Sequence, residues 1–366
     1  MIESIERKYA KLLMDYSLYI KKGERLYIKT TTEAEPLVKE VYRAALERGA
    51  IVEYHMSFSG QNKILMDLSD EAQINHVSTS YENALKNFDA YLLILAPTNL
   101  KEEQGINSEK LKLRKKAIRD LLKVYNERTG SGSLKRSLCL YPTTASAQFA
   151  GMAMDDYKQF VYKACKLDQE DPVAAWLQLR ADQQHIADRL NRAKMVHYKG
   201  SNIDVSFSVE GRTWINSDGR NNMPSGEVFT GPVEDSVNGK VTFTYPSIYM
   251  GEEVENVTLW IKDGYVTKWD ASKGKDFLDK IFKMKGTRRF GEVAIGTNYD
   301  IDRITKNILF DEKIGGTIHM AIGQSYKNTG GKNESVVHWD MITDMKKDGQ
   351  IFADGELIYE KGKFLL

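Results

Sequence analysis

The segment Val337-His338-Trp339-Asp340-Met341 carries a histidine and an aspartate two residues apart. On a strand, alternate side chains leave on opposite faces. His338 and Asp340 then point together, while Val337, Trp339 and Met341 point the other way. Such a pair suits two chemistries: both side chains on one metal ion, or a carboxylate that orients an imidazole. A solvated strand face has the same pattern. Gly315 to Gly323 reads as a second strand, on which His319 shares its face with Ala321 and Gly323. These small neighbours leave room beside the ring, although a core histidine bonded to backbone fits as well. Glu292 opens Glu292-Val293-Ala294-Ile295-Gly296 and again faces the same way as small residues. Glu227 lies in the turn-bounded segment Gly226 to Pro232. Glu312 precedes Lys313-Ile314-Gly315-Gly316, where glycines permit close backbone approach. Taken singly, each glutamate also fits an ordinary surface charge.

Other familiar chemistries lack their residues. Gly130-Ser131-Gly132-Ser133 has neither the spacing nor the Gly-Lys-Ser/Thr ending of a phosphate loop and reads as a turn. There is no Gly-x-Ser-x-Gly elbow and no His-Glu-x-x-His helix. His55, His76, His185 and His197 have no partner at ligand spacing and read as structural or surface residues.

The frame that must position these residues changes character along the chain. In the first half, helical stripes alternate with short strand patterns. Residues 3–19, 34–48 (closed by Gly49) and 110–127 read as helices, and 24–29, 51–56, 90–96 and 137–141 as strands. Strands separated by helices predict a parallel α/β sheet, and the nearly continuous apolar run at 90–96 suits a strand covered on both faces. A long helix over 174–193 follows. From His197 onward, period-two alternation appears at 205–209 and 241–245, with Asp-Gly turns at 263–264, 348–349 and 354–355 and one helix at 275–284. The expectation is an α/β amino-terminal domain with a mainly parallel sheet, residues 1–195, then a β-rich α+β domain, residues 196–366.

With 366 residues the chain is long enough for two cores. Its 52 basic and 51 acidic residues argue against a nucleic-acid or anionic-membrane partner. Cys139 and Cys165 cannot build a disulfide framework and read as buried thiols of a cytosolic protein. The charged amino terminus does not resemble a secretory signal, and the apolar run near Tyr91 to Pro97 is far short of the ~20 residues of a membrane span. A soluble cytoplasmic protein is expected.

The run Asn222-Met223-Pro224-Ser225-Gly226-Glu227-Val228-Phe229-Thr230-Gly231-Pro232, Glu292 within Gly-Glu-Val-Ala-Ile-Gly-Thr-Asn, His319-Met320-Ala321-Ile322-Gly323 and His338-Trp339-Asp340 occur in this order. Together they resemble the aminopeptidase T family of thermophilic-type metallopeptidases, and the resemblance extends over most of the chain. The chain is shorter than typical members, chiefly around residues 312–340. The resemblance implies two divalent metal ions in a β-rich catalytic domain, with Glu227, Glu292, Glu312, His319, His338 and Asp340 as ligands. Tyr326, seven residues after His319, matches a family tyrosine beside the metals. It also implies a homodimer that encloses the site. Three glutamates and one aspartate balance two divalent ions, and mixed imidazole and carboxylate ligands suit zinc, cobalt or manganese.

The reading is a dinuclear metalloaminopeptidase acting on peptides with a free amino terminus. Glu292 is the carboxylate nearest the water, as bridging ligand, general base or both, and Tyr326 donates to the developing oxyanion. Two alternatives stay open: a non-catalytic metal- or peptide-binding protein, and a dinuclear amidase acting on non-peptide amides.

Overall fold

The computed structural model describes residues 3–365, which fall into two compact units. One runs to Val173 and takes in Gly219–Pro224; the other comprises Ala174–Asp218 and the chain from Ser225 onward.

In the first unit five parallel strands lie in the order Ile51–Ser57, Arg25–Thr31, Ala90–Leu95, Lys135–Leu140, Asn222–Met223. The apolar Ala90–Leu95 strand is central and largely buried, as its composition requires, whereas Ile51–Ser57 is an exposed edge. The helix Glu35–Glu47 starts with Pro36 in its first turn and ends just before Gly49, whose φ of +75° stops it. The expected helix over 3–19 is in fact Ile5–Leu12 followed by a π-helical turn, Leu13–Ser17. Five further short helices between Gln61 and Ala164 have weak sequence signals. Cys139 and Cys165 are buried free thiols.

The second unit holds two large antiparallel sheets, a small two-stranded one (Ser247–Tyr249 with Glu252–Val254), and the long helix Pro172–Asn191 from Ala174 on. Eight strands form one sheet, from Tyr265–Asp270 at one edge to Lys363–Phe364 at the other. The second sheet has the order His338–Asp344, Thr317–Gly323, Phe290–Gly296, Glu227–Thr230, Ile215–Ser217. Both sheets feed one apolar core, the first through Val196, Tyr198, Val205 and Phe207, the second through Val293, Ile295, Ile318, Met320, Trp339 and Met341. Each such aliphatic side chain contributes about 1.5–3 kcal/mol on burial. One strand is shifted, and one Asp-Gly turn joins different sheets. The strand expected at 241–245 is Asn238–Thr242, and Asp348-Gly349 connects strands of different sheets instead of closing a hairpin. Asp263-Gly264 and Asp354-Gly355 do close hairpins. Among the described residues no helix is long and apolar enough to cross a membrane.

Candidate metal centre

The face of the five-stranded sheet opposite this core carries the titratable residues, and it too is covered: every residue of Phe290–Gly296 and Thr317–Gly323 is buried. Antiparallel register sets Ala294 opposite His319, Ala321 opposite Asp340, Gly323 opposite His338 and Gly296 opposite Glu227. Each functional side chain thus has a small residue across from it, and the functional groups meet diagonally in the space left over. A β-bulge between Phe290 and Glu292 adds a second device. Two residues apart, they would share a face of a regular strand. With the bulge at Gly291, Phe290 joins the core while Glu292 turns to the other side. Glu312 arrives from the short Ile308–Asp311 helix. Its segment lies against the end of the Glu292 strand because a Cβ on Gly296 would sit 2.1 Å from the Ile314 carbonyl oxygen.

The six residues expected to act as ligands converge. Glu292 Oε1 is 3.3 Å from His319 Nε2, and Glu292 Oε2 is 3.4 Å from His338 Nε2. Glu227 Oε2 lies 3.3 Å from His319 Nε2, and Asp340 Oδ2 lies 3.5 Å from His338 Nε2. Two overlapping donor groups result, Glu227–Glu312–His319 and Glu292–His319–Asp340, with the ligand atoms of each within 4.8 Å of one another; His338 belongs to neither and borders the second through Glu292 and Asp340. Tyr326 closes one side: its ring centroid is 5.0 Å from that of His338 and 5.6 Å from that of Phe229, and the residue is 46% exposed. His55, His76, His185 and His197 lie outside this cluster, and His197 pairs with Asp204 at 2.6 Å.

Sequence reasoning missed two residues. Lys313 is fully buried; its Nζ donates to Glu227 Oε1 at 2.9 Å and also touches Glu312 Oε1. Gln183, buried on the long helix, donates through Nε2 to the Glu227 carbonyl at 3.0 Å and to that of Ser217 at 3.1 Å, and accepts from Thr297 Oγ1. The glycines after Lys313 signalled close approach, but not that the lysine itself turns inward. Nothing in the helical pattern marked Gln183.

The electrostatics are those of crowded donors. Burial works against ionisation of Glu227, yet the Lys313 ammonium and His319 hold its carboxyl well below the usual range. Glu292 is likewise lowered against burial, by His319 and His338. Burial pushes Glu312 and Asp340 up, with neighbouring carboxylates adding to it. His338 is pushed up to about 10 by Asp340 and Glu292 despite its burial. Burial and the same carboxylates keep the Tyr326 hydroxyl protonated, so it remains a donor.

The donor set fits divalent metal. Glu227 Oε2, Asp340 Oδ1 and His319 Nδ1 are buried at this centre without a hydrogen-bond partner among the described residues. For the two carboxylate oxygens a cation is the natural complement. His338 Nδ1 is 2.8 Å from the Gln324 carbonyl oxygen, so Nδ1 is the donor and Nε2 faces Glu292 and Asp340. That is the arrangement of a histidine ligand whose far nitrogen is fixed by the backbone. Mixed imidazole and carboxylate donors suit zinc, cobalt or manganese better than calcium.

Comparison with known proteins gives the same family across the chain. The chain is 28% identical to Aminopeptidase 2 of Geobacillus stearothermophilus over 98% of its own length and 97% of that protein's. It is 28% identical to Aminopeptidase T of Thermus aquaticus, covering 92% and 91%. The structure is similar to that of wild-type AmpT from Thermus thermophilus, with a TM-score of 0.84, 22% identity and 99% of each chain covered, which shows the shared fold. The sequence pattern of the thermophilic metalloprotease (M29) family matches residues 3–364. With a buried carboxylate and imidazole donor set on a sheet of the same fold, the chain belongs to the thermophilic metalloprotease (M29) family and is a hydrolase of peptide bonds.

Proposed function

We propose that the protein is a dinuclear metal-dependent aminopeptidase that hydrolyses the amino-terminal bond of peptides. Glu227, Glu292, Glu312, His319, His338 and Asp340 would hold two divalent ions per chain, zinc, cobalt or manganese, within the β-rich second unit. The observation that carries this is Glu292, whose two oxygens lie 3.3 and 3.4 Å from two different imidazoles, so that this one carboxylate would serve the donors around both His319 and His338. The names of the similar aminopeptidases support a free amino terminus as the recognised feature.

Bound divalent ions supply Lewis acidity and lower the pKa of water from 15.7 towards about 7. Glu292 takes the proton that water loses as its oxygen attacks the scissile carbonyl carbon, and returns it to the departing nitrogen as the C–N bond breaks. Tyr326, kept protonated by burial and its carboxylate neighbours, donates to the developing oxyanion. His338 stays oriented throughout because the Gln324 carbonyl holds Nδ1. We further propose a homodimer, on the family resemblance, a cytoplasmic location, on the two free buried cysteines, and no nucleic-acid or membrane partner, on the balanced charge of the sequence.

A panel of amino-acyl anilides, each with a free and a blocked α-amine, tests the reading. Cleavage of the free-amine compounds alone is expected. Equal cleavage of blocked compounds would make the protein an amidase, and no cleavage by metal-loaded protein would make it a binding protein.

A further inference from the structure

Lys313 has no place in the reaction as described, yet no side chain of the second unit is more deeply committed to the centre. It has no exposed surface, and its Nζ is bonded to one oxygen of each of two carboxylates, Glu227 and Glu312. A buried ammonium is costly unless paired, and here both partners are themselves metal donors. Resting on the metal-centre reading above, we propose that Lys313 is a positioning residue and resident cation of the centre: it occupies Glu227 Oε1, leaves only Glu227 Oε2 to face His319, and weakens the binding of divalent ions.

Three observations converge on this. Glu227 is divided between two roles, with Oε1 held at 2.9 Å by Lys313 and Oε2 buried, unbonded and 3.3 Å from His319. The ammonium therefore selects the oxygen that remains for an ion and forbids two-oxygen chelation by Glu227. The second observation is charge: one buried ammonium sits among the four carboxylates, so two divalent ions, which would balance those carboxylates by themselves, would meet an extra positive charge. The third is location. The Asn298 amide donates to the Lys313 carbonyl at 3.0 Å, and the Gly315 amide donates to the Asn298 carbonyl at 2.9 Å, so the lysine backbone is pinned on both sides. Its side chain reaches the carboxylates from a fixed base.

A resident cation and a merely structural lysine predict opposite signs. Loss of a structural lysine loosens the donors and weakens metal binding. Loss of a resident cation removes repulsion toward the ions, because a unit charge a few ångströms from a divalent ion matters even when well screened. The experiment is calorimetric titration of metal-stripped full-length protein with Mn²⁺, wild type beside Lys313→Met. In the variant we expect at least one binding step to tighten about tenfold or more, and the Tm of the metal-free protein to fall. Unchanged or weaker Mn²⁺ binding by folded variant overturns the proposal. If Lys313→Met does not fold without metal, Lys313→Met/Glu312→Gln decides, since it removes one charge of each sign. A folded metal-free double variant supports the resident cation, and an unfolded one assigns the lysine to packing and overturns it. Wild-type protein that binds neither Mn²⁺ nor Zn²⁺ would overturn the metal-centre reading itself. The ratio of variant to wild type tests Lys313 alone.

Discussion

Ala294 stands directly across the antiparallel pair from His319, and both are fully buried. The methyl group leaves the space into which the imidazole and the diagonal Glu292 carboxylate project. Filling it should damage the centre before the fold. Ala294→Val is expected to cost about 1–3 kcal/mol of stability by overpacking. It should also weaken divalent-metal binding about tenfold or more, read by calorimetry. Unaltered metal affinity would show that the space does not serve the donors.

Glu292→Gln keeps the size of the side chain and removes its charge and its basicity. The core contacts of Val293 and Ile295 on the opposite face are untouched, so folding should survive. We expect kcat, measured at saturating metal, to fall about 10²-fold or more. Near-normal kcat would remove Glu292 from the chemistry.

Protons compete with metal at His338. Its pKa is pushed up to about 10 in the metal-free protein, so at pH 7.5 the ring carries the proton that ligation through Nε2 must expel. Metal loading should release protons, and affinity should rise with pH towards 10. The sign for stability follows from the same shift. A histidine whose folded pKa is raised contributes stability in full below its unfolded pKa near 6.5, and that contribution is lost as pH rises through about 10. Burial raises Glu312 and acts in the same direction. The Tm of metal-free protein should therefore drop between pH 7 and 10, checked by calorimetry in metal-chelated buffers. A rising Tm would contradict it.

Gln183 supports the centre from behind. Its amide holds the carbonyls of Ser217 and Glu227 and receives Thr297 Oγ1. Gln183→Leu strands these groups, at a cost of about 1–3 kcal/mol. Metal affinity should weaken about 10–100-fold, the usual effect of losing such support. A variant that is destabilised but binds metal as wild type does would confine Gln183 to the fold.

How far the sequence reveals this centre depends on how local each signal is. Strand alternation in Val337 to Met341 places Val337, Trp339 and Met341 in the core and His338 with Asp340 on the other face, and the structure has that division. The apolar run at Ala90–Leu95 likewise marks a central parallel strand by itself. Glu292 is different. Alternation alone would put Phe290 on its face, and only the bulge at Gly291, set by the neighbouring strand, separates them. Lys313 and Gln183 were illegible for a related reason: lysine and glutamine on charged segments normally face solvent. Their burial is decided by carboxylates and carbonyls 86 and 44 residues away in sequence. The convergence of Glu227, Glu292, Glu312, His319, His338 and Asp340 was legible only through resemblance to a known family, because contacts across four strands leave no spacing rule in one sequence.

Metal content measured together with turnover tests the central claim most directly. Protein stripped by exhaustive chelation and assayed on a free-amine amino-acyl anilide should be inactive. Activity should return with zinc, cobalt or manganese as bound metal, by elemental analysis, approaches two ions per chain. Full activity in protein shown to contain no metal would contradict the account.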